Sequence, residues 1–248
     1  MDCSRDTAHF RTVANGKLPN PFAKIRERTG IEMRQIAYPT VNITDMTRLA
    51  ITSIFERLNI SGKDCAGVVL ASCNSKDQPD SLEKIASTAA LTHNIDQSTS
   101  INYACSGFPA AVERALLMEN KGGHHIIVIM AEMLSRIIDW NDENTAVVFG
   151  DGLAVTSVIP GGKHEILDSW ARANIIDPKN CLGFEEREGT LTIDGLKEEA
   201  KRLVITMDGG RHLYKNVPGS LLALADNPRF GIENIDRIVP HQANGRFI

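Results

Sequence analysis

The 248-residue sequence has no Cys-x-x-Cys pair, no basic tract, no apolar run of membrane length and no charged-then-apolar segment after Met1. Each absence excludes a class. Five cysteines at irregular spacing, with Cys65 and Cys73 eight residues apart and no histidine pair beside them, form neither a zinc pattern nor a disulfide framework. Free thiols in a reducing cytoplasm are the expectation, with no metal. A net charge of -4 without clustered lysine or arginine argues against a nucleic-acid partner. The longest apolar runs, such as Ile126 to Ala131, are far too short to span a bilayer, and no secretory segment is recognisable. What remains is an ordinary globular composition, 42% hydrophobic and 23% charged, long enough for one large or two ordinary domains.

Apolar patterning gives the order of elements. The first dozen residues are polar and aperiodic, and Asn15 to Pro21 is loop. Thr44 or Asp45 can cap a helix with Met46, Leu49, Ala50, Ile54, Phe55 and Leu58 on one side, ending at Ser61-Gly62. Gly67 to Ser72 has the continuous apolar character of a parallel strand buried on both faces. A helix from Ser81, a strand ending near Tyr103, a helix from Phe108 to Asn120 and a strand from His125 to Ala131 follow. Val147 to Phe149 and Leu153 to Ile159 are expected to be paired strands joined through Gly-Asp-Gly. Beyond Gly161-Gly162 come a strand from Glu165 to Trp170, a helix from Gly210 kinked at Pro218, and a strand from Arg237 to Val239. The alternation predicts an α/β fold of two stacked βα halves, residues 1–160 and an incomplete 161–248. The mixed charges at 185–188 and 197–202 suggest solvated surface.

Three segments carry chemistry. In Ala104-Cys105-Ser106-Gly107-Phe108, a cysteine leaves a strand and enters a helix start. Helix-start amides and the helix dipole there favour thiolate, and the Cys105 and Ser106 amides are candidates to hold an oxyanion. On its own, Cys105 fits a buried structural cysteine better than a nucleophile. Val239-Pro240-His241-Gln242-Ala243-Asn244 sets a histidine just past an apolar strand, where active sites of α/β sheets gather, although a packed histidine also fits. Phe149-Gly150-Asp151-Gly152 is by itself a tight turn whose glycines permit close backbone contact.

Together, and in this order, these segments resemble the ketoacyl-acyl carrier protein synthase III family of thiolase-like condensing enzymes. Arg28-Thr29-Gly30-Ile31 matches that family's opening motif. The resemblance runs from about Lys24 to the last residue. It implies a thiolase-like fold and a ping-pong acyl transfer without metal or organic cofactor. An acyl thioester, on acyl carrier protein or coenzyme A, loads Cys105. A malonyl-type extender then loses carbon dioxide and attacks the bound acyl group, with His241 donating a hydrogen bond to the enolate oxygen. Arg28, Arg246, Asn244, Gly150 and Gly152 match positions near the substrate or its carrier. Relatives form homodimers through the segment corresponding to Thr99 to Asn120.

The sequence also departs from that pattern. The family continues for several dozen residues past the histidine motif, with a further catalytic asparagine, so the chain is expected to be a fragment. Lys24 stands where coenzyme A-using relatives often hold a tryptophan, and Glu143 where they hold an arginine. Both exchanges are expected to weaken coenzyme A binding. Two other functions compete with condensation: ester or amide formation from the Cys105 acyl group without decarboxylation, and a non-catalytic truncated subunit paired with an active synthase.

Overall fold

The computed structural model describes residues 10–14, 22–74, 80–120, 122, 124–167, 182–193, 196–207, 219 and 232–242. Strand β1 (Phe10–Ala14) pairs antiparallel with β2 (Met33–Ala37), and helix α1 (Ile25–Thr29) lies between them in sequence. The opening residues are therefore not wholly irregular. Val13 is buried with Ile25, Ile36, Ile137, Ile138 and Trp140, so β1 is held by tertiary burial that five residues of sequence do not display as a period.

Helix α2 (Ile43–Leu58) is capped by Asn42, two or three residues earlier than the expected cap at Thr44 or Asp45. Asn42 caps it reciprocally: its Oδ1 accepts the Asp45 N–H at 2.9 Å, and Asp45 Oδ2 accepts the Asn42 N–H at 3.2 Å. The predicted stripe is present, with Met46, Ala50 and Ile54 buried and Leu49 and Phe55 packed against the same core. Asn59, in left-handed conformation at φ 53°, ends the helix before Ser61 is reached.

The central sheet has the order β4-β3-β5-β6. Strands β3 (Cys65–Ala71), β4 (Ser98–Ile101) and β5 (His125–Met133) run parallel, and β6 (Asp151–Val158) runs antiparallel to β5. Alternate residues face opposite sides. Val68, Leu70, Ile127 and Ile129 meet α2 and α3 (Leu82–Thr92), whereas Val69, Ala71, Ile126 and Val128 meet α4 (Gly107–Leu116). Burial on both faces is why these strands are continuously apolar rather than alternating.

Several expectations are corrected. Helix α4 stops at Leu116, not at Asn120. Val147 to Phe149 is not a strand: it follows the short helix α5 (Glu143–Ala146) as a turn. The cause is Arg34, whose guanidinium is buried among backbone carbonyls. It donates to Ala146 O, to Phe149 O at 2.9 Å and to Val147 O at 3.3 Å, so these carbonyls need no sheet partner. Glu165 to Leu167 and Arg237 to Val239 are not strands either. The rest of the predicted strand to Trp170, the helix from Gly210 and Pro218 lie outside the described residues. The charged stretches lie in a long antiparallel hairpin that the sequence reading did not foresee, β7 (Leu182–Ile193) with β8 (Leu196–Met207). Among the described residues no helix is long and apolar enough to cross a membrane.

Candidate active site

The C-terminal ends of the three parallel strands converge on one point, on the α4 side of the sheet. Ala71 pairs with Ile101 on β4 and Met130 on β5, and the Ser72 N–H donates to Ile101 O at 3.2 Å. From β4 the chain passes through Asn102 and Tyr103 into a tight turn, Ala104–Ser106, and then directly into α4. Ala104 has φ 46°, a left-handed conformation that costs an alanine about 1–2 kcal/mol. Asn102 supports it by accepting the Ala104 N–H on its side-chain oxygen at 3.3 Å. Residues 102–106 are exposed, so the strained turn presents Cys105 outward rather than burying it. This removes the structural-core reading of the cysteine. A Cβ built on Gly107 would touch Ala71 Cβ at 3.5 Å, which places the helix start directly over the end of β3.

The electrostatics differ from the sequence expectation. Cys105 is exposed as a residue, yet protein surrounds its sulfur closely enough for desolvation to dominate. Burial pushes the thiol above the usual cysteine range, against the pull of its own backbone amide, and the Glu132 carboxylate pushes it further. The Ser106 amide, expected to hold an oxyanion, already donates to Tyr103 O at 3.0 Å. The Gly107 amide donates to Ala104 O in the same turn. Only the Cys105 amide of this pair stands beside the sulfur.

Two neighbours of Cys105 were not foreseen from sequence. Glu132, near the end of β5, accepts the Cys73 N–H at 3.0 Å on each carboxylate oxygen and also accepts from the Cys73 thiol. Burial and then this carboxylate push the Cys73 thiol up to about 12. The available signal was positional: Cys73 lies two residues past β3 and Glu132 one residue before the end of β5, both on the parity that faces α4.

The Phe-Gly-Asp-Gly segment anchors the frame. Asp151 is buried; its Oδ2 accepts the Ala37 N–H and the Ser135 hydroxyl, both at 2.7 Å, and its Oδ1 accepts the Ser135 N–H at 2.9 Å. Burial raises its pKa despite these donors and the nearby Arg136. Gly150 is a packing glycine, because a Cβ there would sit 3.1 Å from Gln35 O and 3.2 Å from Arg34 Cβ. Gly152 faces open space, with nothing within 4 Å of an added Cβ. Of the two glycines expected at the substrate, Gly150 serves the contact with β2.

The remaining expected residues lie on other segments of the chain. His241 is exposed in an irregular stretch, and no hydrogen bond joins it to Cys105. Arg28 is exposed on α1, and Lys24 caps that helix in left-handed conformation at φ 76°. Arg26 pairs with Glu32 at 2.8 Å. Glu143 opens α5. Asn244 and Arg246 lie outside the described residues. Among the described residues no group of three or more His, Cys, Asp or Glu side chains could hold a metal ion.

Known proteins resemble this chain in sequence and in fold. The family model for 3-oxoacyl-[acyl-carrier-protein (ACP)] synthase III matches residues 100–174, which include the Cys105 turn, Glu132 and Asp151. The beta-ketoacyl-[acyl-carrier-protein] synthase III of Acholeplasma laidlawii is 32% identical over 235 residues, covering 90% of this chain and 68% of the relative. That of the Wolbachia of Brugia malayi is 31% identical over 231 residues, covering 90% and 70%. In three dimensions the chain is similar to 3-oxoacyl-[acyl-carrier-protein] synthase III from Aquifex aeolicus, with a TM-score of 0.63, 22% identity and coverage of 97% and 76%. It is similar also to the priming beta-ketosynthase of the R1128 polyketide pathway, with a TM-score of 0.65, 20% identity and coverage of 96% and 73%. These two likenesses fix the thiolase-like α/β fold, and the sequence relatives fix the family. The chain belongs to the beta-ketoacyl-[acyl-carrier-protein] synthase III family.

Proposed function

We propose that this chain is a condensing acyltransferase of fatty-acid or polyketide-type synthesis in which Cys105 carries the acyl group and His241 assists. The observation that carries the assignment is the strained, exposed turn at Ala104-Cys105, set at the convergent strand ends within the family-matched segment. The Cys105 sulfur attacks the thioester carbonyl, and the carrier thiol leaves. Loss of carbon dioxide from a malonyl-type extender gives an enolate. Its carbon attacks the Cys105-bound carbonyl, and the β-keto product departs as the thiol is regenerated. His241 donates to the enolate oxygen, and the Cys105 amide to the oxyanion on the acyl carbonyl.

Acyl carrier protein and coenzyme A thioesters are the substrate classes, with Arg28, Asn244 and Arg246 contacting substrate or carrier. Carrier-protein primers are favoured, because Lys24 and Glu143 replace an indole and a guanidinium of coenzyme A-using relatives. The protein works in the cytoplasm as a homodimer, with residues 1–160 and 161–248 forming its two halves. Strand β4 is an edge of the central sheet, and Tyr103, Phe108 and Leu117 stand exposed beside it, which supports pairing of two copies there.

The test supplies an acyl thioester and malonyl-carrier protein and measures β-ketoacyl product by mass spectrometry. The protein is expected to form product, Cys105→Ala to abolish it, and His241→Ala to lower its rate about a hundredfold or more. Product at the unsubstituted rate from Cys105→Ala contradicts the assignment.

A further inference from the structure

Below the exposed Cys105 lies a group of side chains that the reaction above does not use. It is built by three strand ends. Glu132 on β5 holds the Cys73 amide symmetrically, 3.0 Å from each oxygen, and takes the Cys73 thiol as a further donor. Asn74 locks the same turn to β5 from the next position, accepting the Met133 N–H at 2.7 Å and donating to Met133 O at 3.3 Å. The turn after β3 is thus tied to the end of β5 by side chains on two consecutive residues. Cys73 and Cys105 are near enough for their charges to interact, and the Glu132 charge acts on both sulfurs. On the far side, Glu132 pairs directly with Gly152 of β6. Directly opposed residues of an antiparallel pair share a face, so the missing side chain leaves the space beside the carboxylate open.

We propose that Glu132, with Cys73 as its partner, is a positioning residue for the nucleophile: a carboxylate-centred tier that fixes the turn under Cys105 and sets the electrostatic field in which that sulfur works. The inference rests on Cys105 being the acyl-carrying residue.

Among the described residues, two titratable groups act on the sulfur. Glu132 faces it from β5 and Cys73 from the turn after β3, where burial keeps the Cys73 thiol neutral across the physiological range. Helix α4 brings no acidic side chain in its first turn, and the β6 residue opposite Glu132 is Gly152, with Asp151 on the other face, bonded to Ala37 and Ser135. A carboxylate in this place raises the energy of a Cys105 thiolate but not that of the neutral thioester. It therefore favours the acyl-loaded state over the bare thiolate and keeps the resting sulfur protonated against stray electrophiles.

The test reads the Cys105 proton and not acyl transfer, so it can fail while the assignment of Cys105 stands, and the reverse. Iodoacetamide alkylation of Cys105 is followed by peptide mass spectrometry from about pH 6 to about pH 10, bracketing the ordinary cysteine pKa. Glu132→Gln keeps an acceptor for the Cys73 amide and removes the charge, and its alkylation curve is expected to move to lower pH, with several-fold faster labelling near neutrality. Glu132→Asp, which keeps the charge, is expected to stay close to the unsubstituted curve, and Glu56→Gln, at an exposed position of α2, to leave it unmoved. An unshifted Glu132→Gln curve overturns the proposal, and so does a Glu132→Asp curve displaced as far as that of Glu132→Gln. If Glu132→Gln does not fold, Glu132→Asn is read against Glu132→Asp, a pair that differs in charge at nearly equal size. An Asn curve at lower pH than the Asp curve supports the tier, and coincident curves overturn it.

Discussion

Asp151 serves three donors with two oxygens, and all three come from other parts of the chain: Ala37 on β2, and the amide and hydroxyl of Ser135 after β5. Truncating it leaves buried donors without an acceptor, each worth roughly 1–3 kcal/mol. Asp151→Ala is expected to lower stability by about 3 kcal/mol or more, read from the urea midpoint, with Ser135→Ala costing less. The sign with pH follows from its raised pKa. The folded state holds the Asp151 proton more tightly than the unfolded chain does, so the stability from this residue is full below the ordinary aspartate pKa. It declines as pH rises from there through the folded value. Sequence alone showed Phe149-Gly150-Asp151-Gly152 only as a turn. Its carboxylate finds its partners at positions 37 and 135, and no local pattern records contacts that distant.

At the scale of elements, helix α2 shows how a single cap sets a boundary. The Asn42–Asp45 pair satisfies two helix-start amides at once. Asn42→Ala is expected to cost about 1 kcal/mol, and Asn42→Ser to recover most of it, in thermal or urea unfolding. The stripe from Met46 to Phe55 was legible because it repeats at helical spacing over several turns, and so were β3 and β5, whose apolar runs need no partner to be recognised. The hairpin β7–β8 was not legible, since Glu185 to Glu188 and Lys197 to Arg202 carry no apolar face to mark a strand. Val147 to Phe149 misled in the opposite direction. Its apolar content suits a strand, but Arg34, far away in sequence, takes its carbonyls. The candidate site divides in the same way. Cys105 stood out because its motif is local, whereas the Glu132–Cys73 tier exists only once β3 and β5 are adjacent.

For the whole molecule, the position of β4 at the edge of the described strands and the exposed Leu117, at 74% of its free surface, bear on assembly. Sedimentation is expected to show a two-chain particle that Leu117→Asp shifts toward single chains. A single-chain particle for the unsubstituted protein contradicts pairing at this edge. The central claim is that this fold works through one sulfur, and the described cysteines differ enough to test it. Burial pushes all three thiols up, Cys65 to about 11 and Cys73 to about 12, and of the described cysteines Cys105 alone stands exposed, on its strained turn. The direct measurement is to incubate the protein with an acyl thioester, digest it, and locate the added acyl mass on its cysteine peptides. The acyl group is expected on Cys105, in an amount approaching one per chain. An acyl group on Cys65 or Cys73 with Cys105 unmodified would contradict it.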